Sequence, residues 1–329
     1  MSLLNVENVK VRFDIKKAQQ WPWQPVPQLK AVDGVSFSVN AGETLGIVGE
    51  SGCGKSTLAR ALIGLVPLAE GNITFNGTAI DVNNPKTMKS LRREVQMIFQ
   101  DPLASLNPRM TVGDIIAEPL RNYYPKWSKA QYQEEVQAMM AKVGLLPNVI
   151  NRYPHEFSGG QCQRIGIARA LILKPKLVIC DEPVSALDVS IQAQVVNLLK
   201  ALQQEMGLAL IFIAHDLSIV KHISDRVLVM YLGNEVELAD VDELYRAPAH
   251  PYSNALLSAV PIPDPKLERN KTIIHLTGEL PSPIDPPSGC VFRTRCPVVV
   301  DACAQTKPPL VLLEGHHYVA CPRYDVPLS

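Results

Sequence analysis

A chain of 329 residues, 47% hydrophobic and 19% charged, is long enough to bury a large core and to build two domains. Its 32 Lys and Arg balance 32 Asp and Glu, so no net field draws it to nucleic acid or to an anionic membrane. No apolar run is long enough to span a bilayer, and the N-terminus lacks the basic head and apolar stretch of a signal peptide. A cytoplasmic protein is expected, with its seven cysteines as thiols or metal ligands rather than disulfides.

In chain order, residues 3–13 partly alternate apolar with polar side chains and read as a strand. Residues 20–27, with Trp21 and Trp23, form a proline-rich interruption that reads as a surface loop. Strands are expected at 32–39 and 44–48. The second runs straight into Gly49-Glu50-Ser51-Gly52-Cys53-Gly54-Lys55-Ser56-Thr57, which fits G-x-x-x-x-G-K-[ST], and a helix is expected over 55–65. In such a strand–loop–helix unit the glycines let backbone N–H groups turn inward around phosphate oxygens, and the helix N-terminus adds positive potential. Lys55 then neutralises the β- and γ-phosphates, and Ser56 offers its hydroxyl to Mg²⁺.

A β-rich run at 95–99 ends at Gln100, and from about 110 to 173 the spacing turns helical. Apolar runs return at 177–180, 208–214 and 227–231. Strands alternating with helices imply an α/β fold around a mainly parallel sheet covered on both faces. The helical block between Gln100 and Lys174 therefore reads as an insertion into that core. The run at 177–180 ends in Asp181 and Glu182, two acids at the C-terminal edge where open α/β sheets bind ligands. Asp181 suits the Mg²⁺ shell through water, and Glu182 suits polarising the attacking water. The next apolar run ends at His215.

Taken together, these segments resemble the ATP-binding-cassette (ABC) ATPases. Gly49 to Thr57 matches the Walker A motif, 177–181 Walker B, and Ser158-Gly159-Gly160-Gln161 the signature sequence. Gln100 falls at the Q-loop, Ser185-Ala186-Leu187-Asp188 at the D-loop, and His215 at the switch histidine. The resemblance implies a P-loop core with an inserted helical subdomain over about 100–173 and an N-terminal antiparallel β subdomain. It makes Glu182 the general base, with His215 on the γ-phosphate, Gln100 sensing Mg²⁺ and water, and Phe13 stacking on adenine. The signature closes over ATP held by a second subunit, so two ATPase subunits, identical or different, would sandwich the nucleotide.

From Pro248 the composition shifts, and fourteen of the 27 prolines lie from there on. Residues 1–247 are thus expected as the ATPase domain and 248–329 as an extended appendage. The tail holds Cys290, Cys296, Cys303 and Cys321, spaced C-x5-C-x6-C-x17-C, without the close pairs that zinc sites favour. Four thiolates on a loop-rich segment suit a [4Fe–4S] cluster, with Zn²⁺ the alternative because His316 and His317 lie near. Cys53, Cys162 and Cys180 read as small packing residues.

His250-Pro251-Tyr252, Gly278 to Pro283 and the four tail cysteines extend the resemblance to the oligopeptide/dipeptide importer ATPases, whose members carry a [4Fe–4S] cluster in the tail. That branch implies two transmembrane permease subunits, an extracellular or periplasmic solute-binding protein, and a peripheral place on the cytoplasmic face of the inner membrane. Similar subunits serve oligosaccharides and nickel, so the cargo stays open. The rival reading, a soluble ABC ATPase acting on nucleic acid or ribosomes, calls for a long coiled coil or tandem cassettes; this chain has neither.

Overall fold

The computed structural model describes residues 2–15, 26–82, 84–261 and 264–324. The expected loop around Trp21 and Trp23 lies outside the described residues. The chain opens with β1 (Ser2–Asp14), β2 (Gln28–Asn40) and β3 (Thr44–Val48). Helix α1 (Lys55–Leu62) follows the glycine loop, then β4 (Glu70–Phe75), β5 (Thr78–Ala79) and α2 (Pro85–Glu94). Strand β6 (Val95–Ile98) leads into α3 (Val112–Tyr123), α4 (Lys129–Lys142) and α5 (Gly159–Leu171). Next come β7 (Leu177–Asp181), α6 (Val189–Met206), β8 (Ala209–Ile213), α7 (Leu217–Ile223), β9 (Arg226–Tyr231) and β10 (Asn234–Asp240). Helix α8 (Val241–Arg246) follows, and the tail carries α9 (Pro251–Ser258), α10 (Pro265–Arg269), β11 (Val311–Glu314) and β12 (His317–Val319).

These elements fall into two compact units. The first comprises Met1–Leu3, Val39–Thr44 and Ile80–Ala214. Its β6, β7 and β8 are parallel neighbours, with Ile98 opposite Cys180 and Asp181 opposite Ile213. Every residue of β7 and β8 is buried, which is why both read as unbroken apolar runs rather than alternating ones. Helix α5 packs against α3, α6 and β6 and is buried almost all round from Cys162 onward. Side chains start the helices of this unit: Ser128 caps α4, Ser158 caps α5 and Asp188 caps α6, which ends at Gly207 in the left-handed conformation.

The second unit comprises Leu4–Ser38, Leu45–Ala79 and His215–Ser329. It contains an antiparallel sheet of order β2-β1-β4-β5 and a run of strands ordered β11-β12-β10-β9-β3. In that run β3 lies parallel to β9, while β9, β10, β12 and β11 pair antiparallel. The proline-rich tail is therefore only in part the extended appendage expected. Its β12 extends the sheet alongside β10, with Glu237 opposite Val319 and Leu238 opposite Tyr318. Strands β4, β5, β10, β11 and β12 and helix α2 were not anticipated, and the helix expected to Leu65 ends at Leu62. Among the described residues no helix is long and apolar enough to cross a membrane.

Candidate nucleotide site

In the second unit, the buried strand β3 delivers the chain into the glycine loop, and α1 leaves it. Gly54 begins α1 with φ +101° and no side-chain cap, and α1 has no acid in its first turn. The contrast with the side-chain-capped α4, α5 and α6 is informative, because a helix start with uncapped N–H groups and no competing carboxylate is suited to an anion. A Cβ at Gly54 would stand 2.1 Å from the Ala31 carbonyl oxygen, so the backbone passes there only because the residue is glycine. Lys55 is only 5% exposed, and its ammonium donates to the carbonyls of Gly49 (2.8 Å) and Glu50 (3.1 Å) and lies 3.7 Å from Cys53 Sγ. Burial pushes the Cys53 thiol up from its ordinary value, with the nearby Lys55 charge opposing, so the side chain packs as a neutral thiol. Ser51 and Gly52 are exposed, and Ser56 and Thr57 are half-buried in the first turn of α1.

In the first unit, β6 and β7 leave their shared edge side by side, and the residues after them meet. Gln100 Nε2 donates to Glu182 Oε2 at 2.9 Å, beside the buried Asp181. Glu182 has φ +47°, a left-handed backbone that a non-glycine residue adopts at a cost of about 1–3 kcal/mol. Three hydrogen bonds hold it there: its N–H donates to Ile213 O (3.0 Å), and its carbonyl accepts from Ser185 N–H (3.3 Å) and Ser185 Oγ (3.1 Å). Desolvation, with Asp181 adding, pushes the neighbouring Cys180 thiol up to about 12, so it stays neutral in the strand.

The signature residues form the start of α5. Ser158 and Gln161 cap one another, Ser158 N–H donating to Gln161 Oε1 at 3.0 Å. Gly160 lies against α6, where a Cβ would meet Ile191 Cγ2 at 2.5 Å. Asp188 of the D-loop caps α6, accepting from Ile191 N–H (3.1 Å) and Ser190 Oγ (2.9 Å), and those bonds hold its carboxyl below the usual range. Signature and D-loop are thus the adjoining starts of two packed helices. His215 is exposed, just before Asp216, which caps α7. Phe13 stands near the end of β1, 40% exposed.

The four tail cysteines all lie in the second unit. Cys290, Cys303 and Cys321 are buried and Cys296 partly so, and burial pushes Cys290 up to about 11, with Cys303, Cys321 and Cys296 adding. The fold gathers these thiols in one region, yet among the described residues no group of three or more His, Cys, Asp and Glu is placed to hold a metal ion. His317 is engaged elsewhere: its Nε2 lies 2.6 Å from Glu237 Oε1.

Comparison with known proteins decides the family. The ABC transporter model matches residues 32–185, and the model for the oligopeptide/dipeptide transporter C-terminal region matches 236–303. The chain is 67% identical to the oligopeptide transport ATP-binding protein OppF of Escherichia coli (strain K12) over 325 residues, covering 98% of this chain and 96% of that protein. The chain belongs to the ABC transporter family, in its oligopeptide/dipeptide branch. The oligopeptide transport ATP-binding protein AppF of Bacillus subtilis (strain 168) is 53% identical over 325 residues, covering 98% of each chain. Among solved structures, cbiO1 of Clostridium perfringens, part of an ABC transporter complex, aligns with a TM-score of 0.64 at 26% identity over 75% of this chain and 91% of its own. A cassette solved as a dimer bound to ADP and Pi aligns equally well at 24% identity, over 72% of this chain and 98% of its own, and shares the fold.

The chain is thus an ABC ATPase. Sequence alone did not reveal how the phosphate loop is supported from the tail. The Glu50 N–H donates to Tyr252 Oη at 2.8 Å, and the Glu50 carboxylate receives Arg295 Nη1 at 2.8 and 3.1 Å. The only sequence hint was His250-Pro251-Tyr252, a tail motif with no evident connection to the loop.

Proposed function

We propose that this chain is the ATP-hydrolysing subunit of an ABC importer for oligopeptides, with residues 1–247 as the ATPase domain and 248–329 as the branch-specific tail. The observation that carries the chemistry is the Gln100–Glu182 hydrogen bond at the edge of β6 and β7, beside Asp181. Phosphoryl transfer to water needs positioning and charge neutralisation more than covalent help. Lys55 and the N–H groups at the start of α1 take the β- and γ-phosphates, Ser56 and Asp181 serve Mg²⁺, and Glu182 orients and polarises the attacking water. Gln100 holds the Glu182 carboxylate and senses the metal and water, while His215 contacts the γ-phosphate and Phe13 stacks on adenine.

The remaining part of the cage is the start of α5 in a second ATPase subunit, whose Ser158, Gly159, Gly160 and Gln161 close on the γ-phosphate opposite Lys55. That partner is a similar subunit, as a homodimer or heterodimer, and Asp188 lies at the same face. Two permease subunits receive the closure through the segment after Gln100, and a solute-binding protein delivers cargo. The protein then works peripherally at the cytoplasmic face of the membrane. Relatives named for oligopeptide transport support peptide over oligosaccharide or nickel. In the tail, Cys290, Cys296, Cys303 and Cys321 are proposed as ligands of a [4Fe–4S] cluster, with Zn²⁺ the alternative; an all-sulfur donor set supports this, and closing it requires the thiols to move together.

ATPase activity measured on the chain alone and on the complex reconstituted with permease and binding protein tests the reading. Peptide-stimulated hydrolysis is expected only in the complex. Stimulation by nucleic acid and none by peptide would overturn it. Iron and acid-labile sulfide assayed on anaerobically purified protein test the tail site.

A further inference from the structure

Within the second unit, Glu50 of the phosphate loop is held from three directions. Its carbonyl accepts from Lys55 Nζ (3.1 Å), its N–H donates to Tyr252 Oη (2.8 Å), and its carboxylate pairs with Arg295 Nη1 (2.8 and 3.1 Å). Two of these partners belong to the tail, Arg295 lying 245 residues along the chain from Glu50. Arg295 is 10% exposed and Glu50 27%, so solvent screens this pair far less than a surface ion pair.

The tail partners are themselves fixed. Tyr252 is fully buried, its ring 4.8 Å from that of Tyr231 and 5.4 Å from that of Phe292. Arg295 also donates to Tyr231 Oη at 3.4 Å and lies 5.9 Å from the centre of that ring. Phe292, three residues before Arg295, closes the cluster against Tyr231 at 5.1 Å. Rigid aromatic rings therefore deliver one hydroxyl and one guanidinium to a single loop residue. A phosphate cradle depends on the orientation of consecutive peptide planes, and this arrangement sets the plane that enters Glu50 and the direction of its side chain.

We propose that Arg295 and Tyr252 are positioning residues for nucleotide binding: the C-terminal region braces the phosphate loop through Glu50 and sets its affinity for MgATP. Glu50 lies within residues 32–185, which match the ABC transporter model, and Arg295 within 236–303, which match the oligopeptide/dipeptide C-terminal region, so the brace joins the two matched regions. Arg295 and Tyr252 touch no reacting group. They act on the dissociation constant rather than on the hydrolytic step.

The test is MgATP affinity, by equilibrium binding to the purified full chain, together with KM and kcat of the reconstituted transporter. Arg295→Ala is expected to weaken binding and raise KM about tenfold, the order of one charge-assisted hydrogen bond, with kcat at saturating ATP changed less than about twofold. Tyr252→Phe keeps the ring and loses the hydroxyl, and should weaken binding a few-fold. Arg295→Lys should restore part of the affinity lost in Arg295→Ala. Arg293→Ala serves as the control, since the Arg293 guanidinium donates to Ser288 O and Oγ within the tail. Wild-type affinity in Arg295→Ala, or an equal loss in Arg293→Ala, would overturn the brace. Because the proposal rests on the loop binding nucleotide, Lys55→Ala is measured in parallel. Lost binding there with an unaffected Arg295→Ala rejects the brace alone, whereas undiminished binding in Lys55→Ala rejects the reading of the loop.

Discussion

Gln100 Nε2 and Glu182 Oε2 stand 2.9 Å apart because β6 and β7 run parallel in register, Ile98 opposite Cys180, and so release their next residues at the same edge. The contact is a consequence of topology, and it holds the carboxylate that we propose polarises water. Glu182→Gln preserves shape while removing basicity. It is expected to lower kcat by about a hundred- to a thousandfold, with MgATP affinity kept within about twofold. Single-turnover hydrolysis beside equilibrium binding checks this. Undiminished hydrolysis would remove Glu182 from the mechanism.

The start of α5 depends on the start of α6. In Gly160→Ala the new methyl carbon would lie 2.5 Å from Ile191 Cγ2, a β-branched side chain with little freedom to move aside. Overpacking of this kind costs about 1–3 kcal/mol and displaces the signature N–H groups. ATPase of the assembled transporter should fall while nucleotide binding by the isolated chain persists. Adding Ile191→Ala should recover much of the activity, and a double-mutant cycle reads that coupling. Purely additive effects would show that the two helix starts do not constrain each other.

Gly54 presents the harsher case, with φ +101° and the Ala31 carbonyl oxygen 2.1 Å from any Cβ. Backbone cannot yield as a side-chain end can. Gly54→Ala is expected to abolish measurable MgATP binding and to lower the thermal midpoint, since strain at such a position costs upwards of about 1 kcal/mol. Retained affinity would show that the loop tolerates a different path.

The contrast between Walker-type segments and tail explains what the sequence could disclose. Residues 177–182 are legible because a strand buried on both faces must be apolar throughout and can carry acids only at its end. The 49–57 loop is legible because phosphate binding demands glycines and a lysine at set intervals. Helix α2 has only Met88 and Leu91 buried among its charged residues, too sparse an apolar stripe to signal a helix. Strands β11 and β12 have four and three residues, fewer than any periodicity needs. The Glu50–Arg295 pair joins residues with no shared pattern, so only folding brings them into view. The tail cysteines show the reverse limit: their number and spacing suggest a ligand set, which the described residues do not hold closed.

Two desolvated groups of the second unit, the buried His250 and the half-buried Glu235, make opposite demands on pH. Burial pushes His250 down to about 4 from 6.5, with the Glu237 carboxylate opposing; the ring also faces Phe292, and its Nδ1 accepts from Tyr252 N–H. Its contribution to stability is present above pH 6.5 and is lost as pH falls through 4. Desolvation pushes Glu235 up to about 7 from 4.5, although Ser36 N–H donates to it and Lys307 lies near. Its contribution is full below pH 4.5 and is lost as pH rises through 7. Each displacement is worth about 3 kcal/mol, so between pH 4.5 and 6.5 the two slopes nearly cancel. Glu235→Gln removes one of them. The unfolding free energy of that variant, measured in urea against wild type, should gain on wild type by about 1 kcal/mol per pH unit as pH rises across this window. A difference that does not change with pH would mean that Glu235 is ionised in the folded protein throughout.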